Sequence, residues 1–324
     1  MNDILVLSAS RTAIGSLNGT LANSTAPQLA AKAAADAIAK SGVKAEELGE
    51  VVLGCVIPAG IGQAPARQAA IGAGIPVSVG ATTVNKVCGS GMKAVMMASQ
   101  GIALGEQDLA LAGGMESMSK APYLLDKARS GYRYGDAKLL DAILRDGLMD
   151  PYDGVHMGDC GELCAKEHGI TRGMQDEWAV RSYTRALEAQ AKGYFKNEIV
   201  AVDGVELDEE PGRAKLDKVS KLRPAFQKDG TITAANASKL NDGAAALVLS
   251  SAKGAAGKKP LARIAGWATH SQEPKWFTTA PAGAVEKLLK KTGWTKESVD
   301  LFEDRKSTRL NSSHLKLSRM PSSA

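Results

Sequence analysis

The chain of 324 residues predicts an α/β fold of stacked sheet and helix layers. Three observations carry that expectation. Short apolar runs such as Val51-Val52-Leu53 and Leu109-Ala110-Leu111-Ala112 are too continuous for strands with one wet face, so their sheet is covered on both sides. These runs alternate with segments of helical spacing, the signature of layered α/β architecture. Aromatic residues make up only 4% of the chain, so alanine, glycine and aliphatic side chains must do the packing.

Ile4 to Ser8 reads as a buried strand, followed by the loop Arg11-Thr12-Ala13-Ile14-Gly15. Ser24 or Thr25 caps a helix whose first turn accepts Pro27. Leu29, Ala33, Ala37 and Lys40 then recur at helical spacing until Gly42. Glu50 to Val56 is the next strand. Ala81 to Val84 leads through Cys88 into a helix from about Ser90 to Leu104, closed by Gly105. That helix is apolar nearly all round, through Ala94, Val95, Met96, Met97, Ala98, Ile102 and Ala103, which predicts burial in the middle of a domain. Leu109 to Ala112 is another interior strand, ending in Gly113-Gly114-Met115-Glu116-Ser117-Met118.

From about Ser119 to Ala235 the text turns to tyrosines and charges, with a helix expected over Met174 to Lys192. The alternation stops there, so this block reads as inserted into, or draped over, the α/β core. Layering returns at Asn236-Ala237-Ser238-Lys239-Leu240-Asn241-Asp242-Gly243, a polar loop feeding an apolar strand or short helix to Leu249. Lys253 to Pro260 reads as a linker. A second α/β segment follows, with Leu261 to Ile264, a helix over Ala282 to Lys291, and Val299 to Phe302. The stretch from Asp304 to Ala324 is serine-rich and basic without a sustained apolar period, which predicts disorder, and it resembles translated adapter or vector sequence.

Charge narrows the function classes. Five of the 40 basic residues lie at or beyond Arg305, which leaves 35 against 35 acidic residues in the body of the chain. A neutral body lacks the basic footprint that nucleic-acid binding requires. No run of about 18 apolar residues appears, and the N-terminus lacks a basic region followed by an apolar one. The expectation is a soluble cytoplasmic protein, with no membrane and no nucleic-acid partner. Four cysteines in a chain of this length suggest no disulfide framework. Cys160 and Cys164 would share a helix face, but no histidine or second cysteine pair completes a zinc-ligand pattern, so no metal is expected.

Cys88 is the residue with chemistry in its surroundings. The run Asn85-Lys86-Val87-Cys88-Gly89-Ser90-Gly91 places it where a strand breaks and a helix begins. There the positive end of the helix dipole and free backbone N–H groups favour a negatively charged sulfur and can hold a developing oxyanion. Local chemistry alone leaves a second reading open, a small buried hydrophobe, as most cysteines are.

Several separated motifs decide between them: Arg11-Thr12-Ala13-Ile14-Gly15, the Cys88 run, Gly113-Gly114-Met115-Glu116-Ser117-Met118-Ser119, His156-Met157-Gly158, Lys221-Leu222-Arg223-Pro224-Ala225-Phe226, Asn236-Ala237-Ser238 and Asn241-Asp242-Gly243. Together they resemble the thiolases, specifically the biosynthetic acetyl-CoA acetyltransferases, from Ile4 to Glu303. The resemblance implies the layered αβαβα thiolase fold. Residues 1–255 would form the N-terminal domain with a loop-domain insertion at about 119–235. Residues 260–303 would begin a C-terminal domain that is mostly missing, and 304–324 a non-family tail.

The implied chemistry is acyl transfer through a Cys88 thioester. Acetyl-CoA, acetoacetyl-CoA and CoA are the expected substrates and partners, with no tightly bound cofactor, and the intact family implies a homotetramer. A cysteine suits this role because its thiolate is strongly nucleophilic and its thioester stays activated. His156 and Met157 match residues lining the pantetheine and acyl pocket, and Ser238 matches a residue contacting the pantetheine amide. Arg213 has two readings, a phosphate contact or an exposed arginine.

Two departures fall near that pocket: Asp159-Cys160-Gly161 before Glu162, where the family usually has threonine and alanine, and Lys239, where glycine is usual. The first would alter a helix start, and the second would put a positive side chain beside the CoA channel. The family's Asn-Glu-Ala-Phe, Gly-His-Pro and Cys-x-Gly motifs do not follow Glu303. The expectation is therefore a C-terminally truncated, inactive chain, or a non-catalytic thiolase-like protein that binds acyl-CoA or assembles with a homologue.

Overall fold

A computed structural model describes residues 3–303. The segment 304–324, expected above to be a disordered non-family tail, lies outside the described residues. In chain order the strands are β1 (Ile4–Thr12), β2 (Gly15–Ser16), β3 (Glu50–Gly54), β4 (Gly80–Val84), β5 (Leu109–Ser117), β6 (Tyr123–Leu124), β7 (Leu140–Asp141), β8 (Ile199–Val200), β9 (Asn241–Ser251) and β10 (Ala262–Arg263). The α-helices are α1 (Ala26–Ser41), α2 (Pro65–Gly72), α3 (Ser90–Leu104), α4 (Met157–Glu167), α5 (Arg172–Ala191), α6 (Glu209–Arg213) and α7 (Ala280–Thr292). The described chain forms two compact units, one from residues 3–147, 187–213 and 240–264, the other from 148–186, 214–239 and 265–303.

The first unit is built on one mixed sheet of order β10-β1-β9-β5-β3-β4, with β2 paired to β9 and β8 to β1. β9 runs antiparallel between β1 and β5, with Ile4 opposite Ser251 and Leu109 opposite Ser250. β3 is parallel to both β5 and β4. The continuous apolar strands are explained by their two covered faces. Val51, Leu53, Leu109, Leu111 and Met115 join the core formed with α1 and α2. The alternate residues Val52, Ala110 and Ala112 are equally buried and point to the opposite face, where α3 packs on β3 and β5.

α1 follows its sequence signals closely. Thr25 is the N-cap, Pro27 lies in the first turn, and the Gln28 side chain accepts the Thr25 N–H at 2.9 Å. Gly42 closes the helix at φ 66°, in the left-handed region that glycine enters without a Cβ penalty. α3 departs from expectation on one face. Ala94, Ala98, Ser99 and Ile102 are buried against the sheet, but Met92 is 62% exposed and Val95, Met96 and Met97 are only half-buried. An all-round apolar helix needs cover on every side, and the described residues cover one.

The second unit is mostly helix and irregular chain, with Cys160, Cys164, Ala165, Ile170, Ala179, Tyr183, Val219 and Ile232 buried. Its hub is Glu162 on α4. The Glu162 carboxylate accepts the Thr231 N–H and hydroxyl and the Ile232 N–H at 2.7–2.9 Å, and it is 6% exposed. Val299 to Phe302, expected to continue the layering, has no regular structure. A strand needs a neighbour to take its backbone groups, and none pairs with it among the described residues.

Candidate active site

Cys88 lies at the end of the turn between β4 and α3, next to Gly89, the N-cap of the helix. The turn is held by side chains at both ends. Asn85 Oδ1 accepts the Val87 N–H at 2.9 Å, and the Ser90 hydroxyl accepts the Lys86 N–H at 2.8 Å while donating to the Val87 carbonyl at 2.6 Å. Gly89 closes the turn by donating to the Lys86 carbonyl at 3.0 Å. Val87 is held at φ 45°, where a β-branched residue is seldom found. Such a conformation costs about 1–3 kcal/mol and persists only where the surroundings over-determine it. Cys88 follows directly, and it is exposed.

Glycines seat the start of α3 on the sheet. A Cβ on Gly54, at the end of β3, would meet Ser90 backbone and side chain at 2.5–2.6 Å, and Gly91 passes Gly114 closely enough that a Cβ on Gly114 would lie 3.2 Å from the Gly91 Cα. Only missing side chains allow helix and strand to approach like this. Beneath the turn, the Glu116 carboxylate accepts the Val56 and Ile57 N–H groups at 2.8 and 3.1 Å. Burial raises its pKa against the opposing pull of those N–H groups. The Cys55 thiol, 3.6 Å from Glu116, is pushed up to about 12 by burial first and by the adjacent carboxylate second. Cys55 is therefore a protonated packing residue and not a second nucleophile.

In the second unit His156 is the N-cap of α4, and its Nδ1 accepts the Gly158 N–H at 2.9 Å. Its ring stacks on Phe226 at 4.8 Å between centroids. Burial holds the imidazole below the usual histidine range, with Asp159 opposing, so at neutral pH it is the uncharged ring with Nε2 carrying the proton. Met157 opens α4 and is half-buried, while Ser238 is exposed. Cys160 is buried on α4, and burial raises its thiol pKa. Lys239 folds back, donating to the Ala234 carbonyl and lying 6.0 Å from the centre of the Tyr183 ring.

Cys88 and Arg213 belong to the sheet unit; His156, Met157 and Ser238 belong to the other. Arg213 is exposed and paired with Glu209 at 3.0 Å. Asn85, Glu116 and Phe226 lie inside the motifs quoted above, which do not disclose what each side chain touches, and Glu162 has no sequence signal beyond its place after Asp159-Cys160-Gly161. Among the described residues no group of three or more histidines, cysteines and carboxylates is placed to hold a metal.

The family model described as "Thiolase, N-terminal domain" matches residues 4–253. The chain belongs to the thiolase family. The model for the thiolase C-terminal domain matches residues 258–308, reaching past the point where the motif resemblance ended at Glu303. Among curated thiolase relatives, the mitochondrial acetyl-CoA acetyltransferase of Rattus norvegicus is 50% identical over 315 residues, covering 94% of this chain and 74% of that protein. The cytosolic acetyl-CoA acetyltransferase ERG10 of Gibberella zeae is 46% identical over 312 residues, covering 93% and 78%. The Acat5 thiolase of Ascaris suum, solved in complex with coenzyme A, superposes with a TM-score of 0.90 at 42% identity, covering 92% of this chain and 79% of that one.

The α/β thiolase fold is thus established, and by family the chain is a thiolase enzyme. The expectation of an inactive truncated form with a foreign tail receives no support: the C-terminal domain model matches, and the relatives align over nearly the whole chain. The matching relatives include both mitochondrial and cytosolic acetyl-CoA acetyltransferases. No described helix is long and apolar enough to cross a membrane.

Proposed function

We propose that this thiolase is an acetyl-CoA acetyltransferase that works through an acetyl thioester on Cys88. The supporting observation is the exposed Cys88 on a turn held by side chains at the start of α3, inside a stretch matched throughout by the thiolase N-terminal domain. In the first step the Cys88 thiolate attacks the thioester carbonyl of acetyl-CoA. A carbon–sulfur bond forms to Cys88, the bond to CoA sulfur breaks, and CoA leaves as the thiolate and takes up a proton. In the second, a second acetyl-CoA loses an α-proton to a base, its α-carbon attacks the Cys88 acyl carbonyl, and acetoacetyl-CoA forms as the Cys88 thiolate departs. Thiolysis of a 3-oxoacyl-CoA is the reverse.

His156, Met157, Ser238 and Arg213 are assigned to binding CoA. A neutral His156 with a donor at Nε2 suits a pantetheine carbonyl, and Met157 suits its apolar stretch. The segment from about 119 to 235 is assigned as a CoA-binding loop domain inserted within an N-terminal domain of residues 1–255, and residues 260–303 as the start of the C-terminal domain. The protein is assigned to the cytoplasm as a homotetramer, with CoA and its thioesters as substrates and no resident cofactor.

Incubation with acetyl-CoA followed by intact mass and peptide mapping tests the reading. One acetyl group is expected on Cys88, with release of an equal amount of CoA thiol, and C88A should carry none. Acetylation that survives in C88A, or its absence in the unaltered chain, would sink the proposal. Calorimetric binding of CoA without any acetylation would favour a non-catalytic acyl-CoA-binding or assembly role instead.

A further inference from the structure

The turn before α3 holds a conformation that its own sequence resists. Both peptide groups flanking Val87 are anchored: the N–H by Asn85 Oδ1 at 2.9 Å, the carbonyl by the buried Ser90 hydroxyl at 2.6 Å. Asn85 is itself tied down, because its amide nitrogen donates to the Val56 carbonyl at 3.1 Å. Val56 is fixed from its other side by the Glu116 carboxylate at 2.8 Å. A continuous chain of hydrogen bonds therefore runs from Glu116 on β5 to the residue before Cys88.

We infer that Asn85 is a positioning residue for Cys88: by holding Val87 at φ 45° it sets the direction in which the Cys88 side chain leaves the turn. The inference rests on Cys88 being the nucleophile. Without the Asn85 bond, Val87 relaxes toward the negative φ that β-branched residues adopt, and the peptide joining it to Cys88 turns with it. Glycine has no such preference and adopts the left-handed turn without a steric penalty. The cost of losing Asn85 should therefore depend on which residue stands at position 87, a coupling that a general weakening of the fold would not produce.

The experiment is a double-mutant cycle on the full chain with N85A, V87G and the combination, each checked for folding by circular dichroism. Single-turnover acetylation of Cys88 is followed over a range of acetyl-CoA concentrations. In the Val87 background N85A should lower the limiting rate by about tenfold to a hundredfold, the scale of a misplaced reacting atom. The half-saturating acetyl-CoA concentration should move less than about twofold, because binding contacts are untouched. In the V87G background the same change should cost less than about threefold. Equal losses in both backgrounds, or no loss in either, overturn the inference. Alkylation of Cys88 by iodoacetamide in the same four proteins should show the same dependence on position 87. If acetyl-CoA fails to acetylate the unaltered chain, the acetyltransferase reading falls, and the alkylation rates still decide the role of Asn85.

Discussion

Replacing Gly54 with alanine tests whether the nucleophile-bearing helix is seated by close packing against β3. The new Cβ would lie 2.5 Å from the Ser90 carbonyl carbon, 2.6 Å from the Ser90 Cβ and 2.7 Å from the Gly91 nitrogen, where ordinary contact begins at 3.4 Å. The shortfall, 3.4 less 2.5, is about 0.9 Å, and it falls on backbone that no rotamer change can move aside. Either α3 retreats from the sheet or β3 bends. Overpacking of this kind costs about 1–3 kcal/mol, and a displacement of about 1 Å at a reacting atom costs up to about a hundredfold in rate. The expected result is a Tm lowered by about 2–4 °C for each kcal/mol lost, together with slower acetylation of Cys88. Scanning calorimetry and single-turnover mass spectrometry read the two effects separately. Gly80 is the control, because a Cβ there meets nothing within 4 Å. A G54A protein with the stability and acetylation rate of the unaltered chain would show that the helix start is not seated where Gly54 lies.

Two further outcomes are expected in the second unit. His156 has its pKa lowered by burial, so its contribution to stability is complete above the unfolded histidine value of about 6.5 and is lost as pH falls through that value toward the folded one. Urea midpoints should drop between pH 7.5 and 5.5 in the unaltered protein and drop less in H156Q; equal drops would refute this. Glu162→Ala leaves two backbone N–H groups and a hydroxyl without their acceptor, and should destabilise by about 2–4 kcal/mol in chemical denaturation, with Glu162→Gln intermediate.

The layered core was legible because its signals are local and repeated. Thr25, Pro27 and Gly42 mark the ends of α1 within a residue of where they stand, and the glycine at 105 closes α3 as expected. The assignment of 236–249 stayed open between strand and helix, since Asn241-Asp242-Gly243-Ala244-Ala245-Ala246 carries neither period clearly. Its pairing with both β1 and β5 makes it a strand, a fact no local pattern holds. The site was half legible. Cys88 stood out by chemistry, but the residues that shape its turn act through hydrogen bonds to backbone, and side-chain identity alone does not disclose which carbonyl an asparagine will find. Nor could sequence show that Lys239 folds back onto Ala234 and Tyr183.

The placement of β9 between β1 and β5 has a consequence for how the molecule is made. β3, β4 and β5 are close in sequence and can associate early, but β1 meets β5 only through β9, which lies more than a hundred residues further along. A ribosome must deliver the chain through Ser251 before the two halves of the sheet can be joined by strand pairing. Until then the flanks of β1 and β5 that β9 will occupy are unpaired strand edges, open to pairing with other chains. The sheet is closed by its last long strand, so synthesis and folding of this unit are coupled to a late event, and contacts of this sequence separation form slowly.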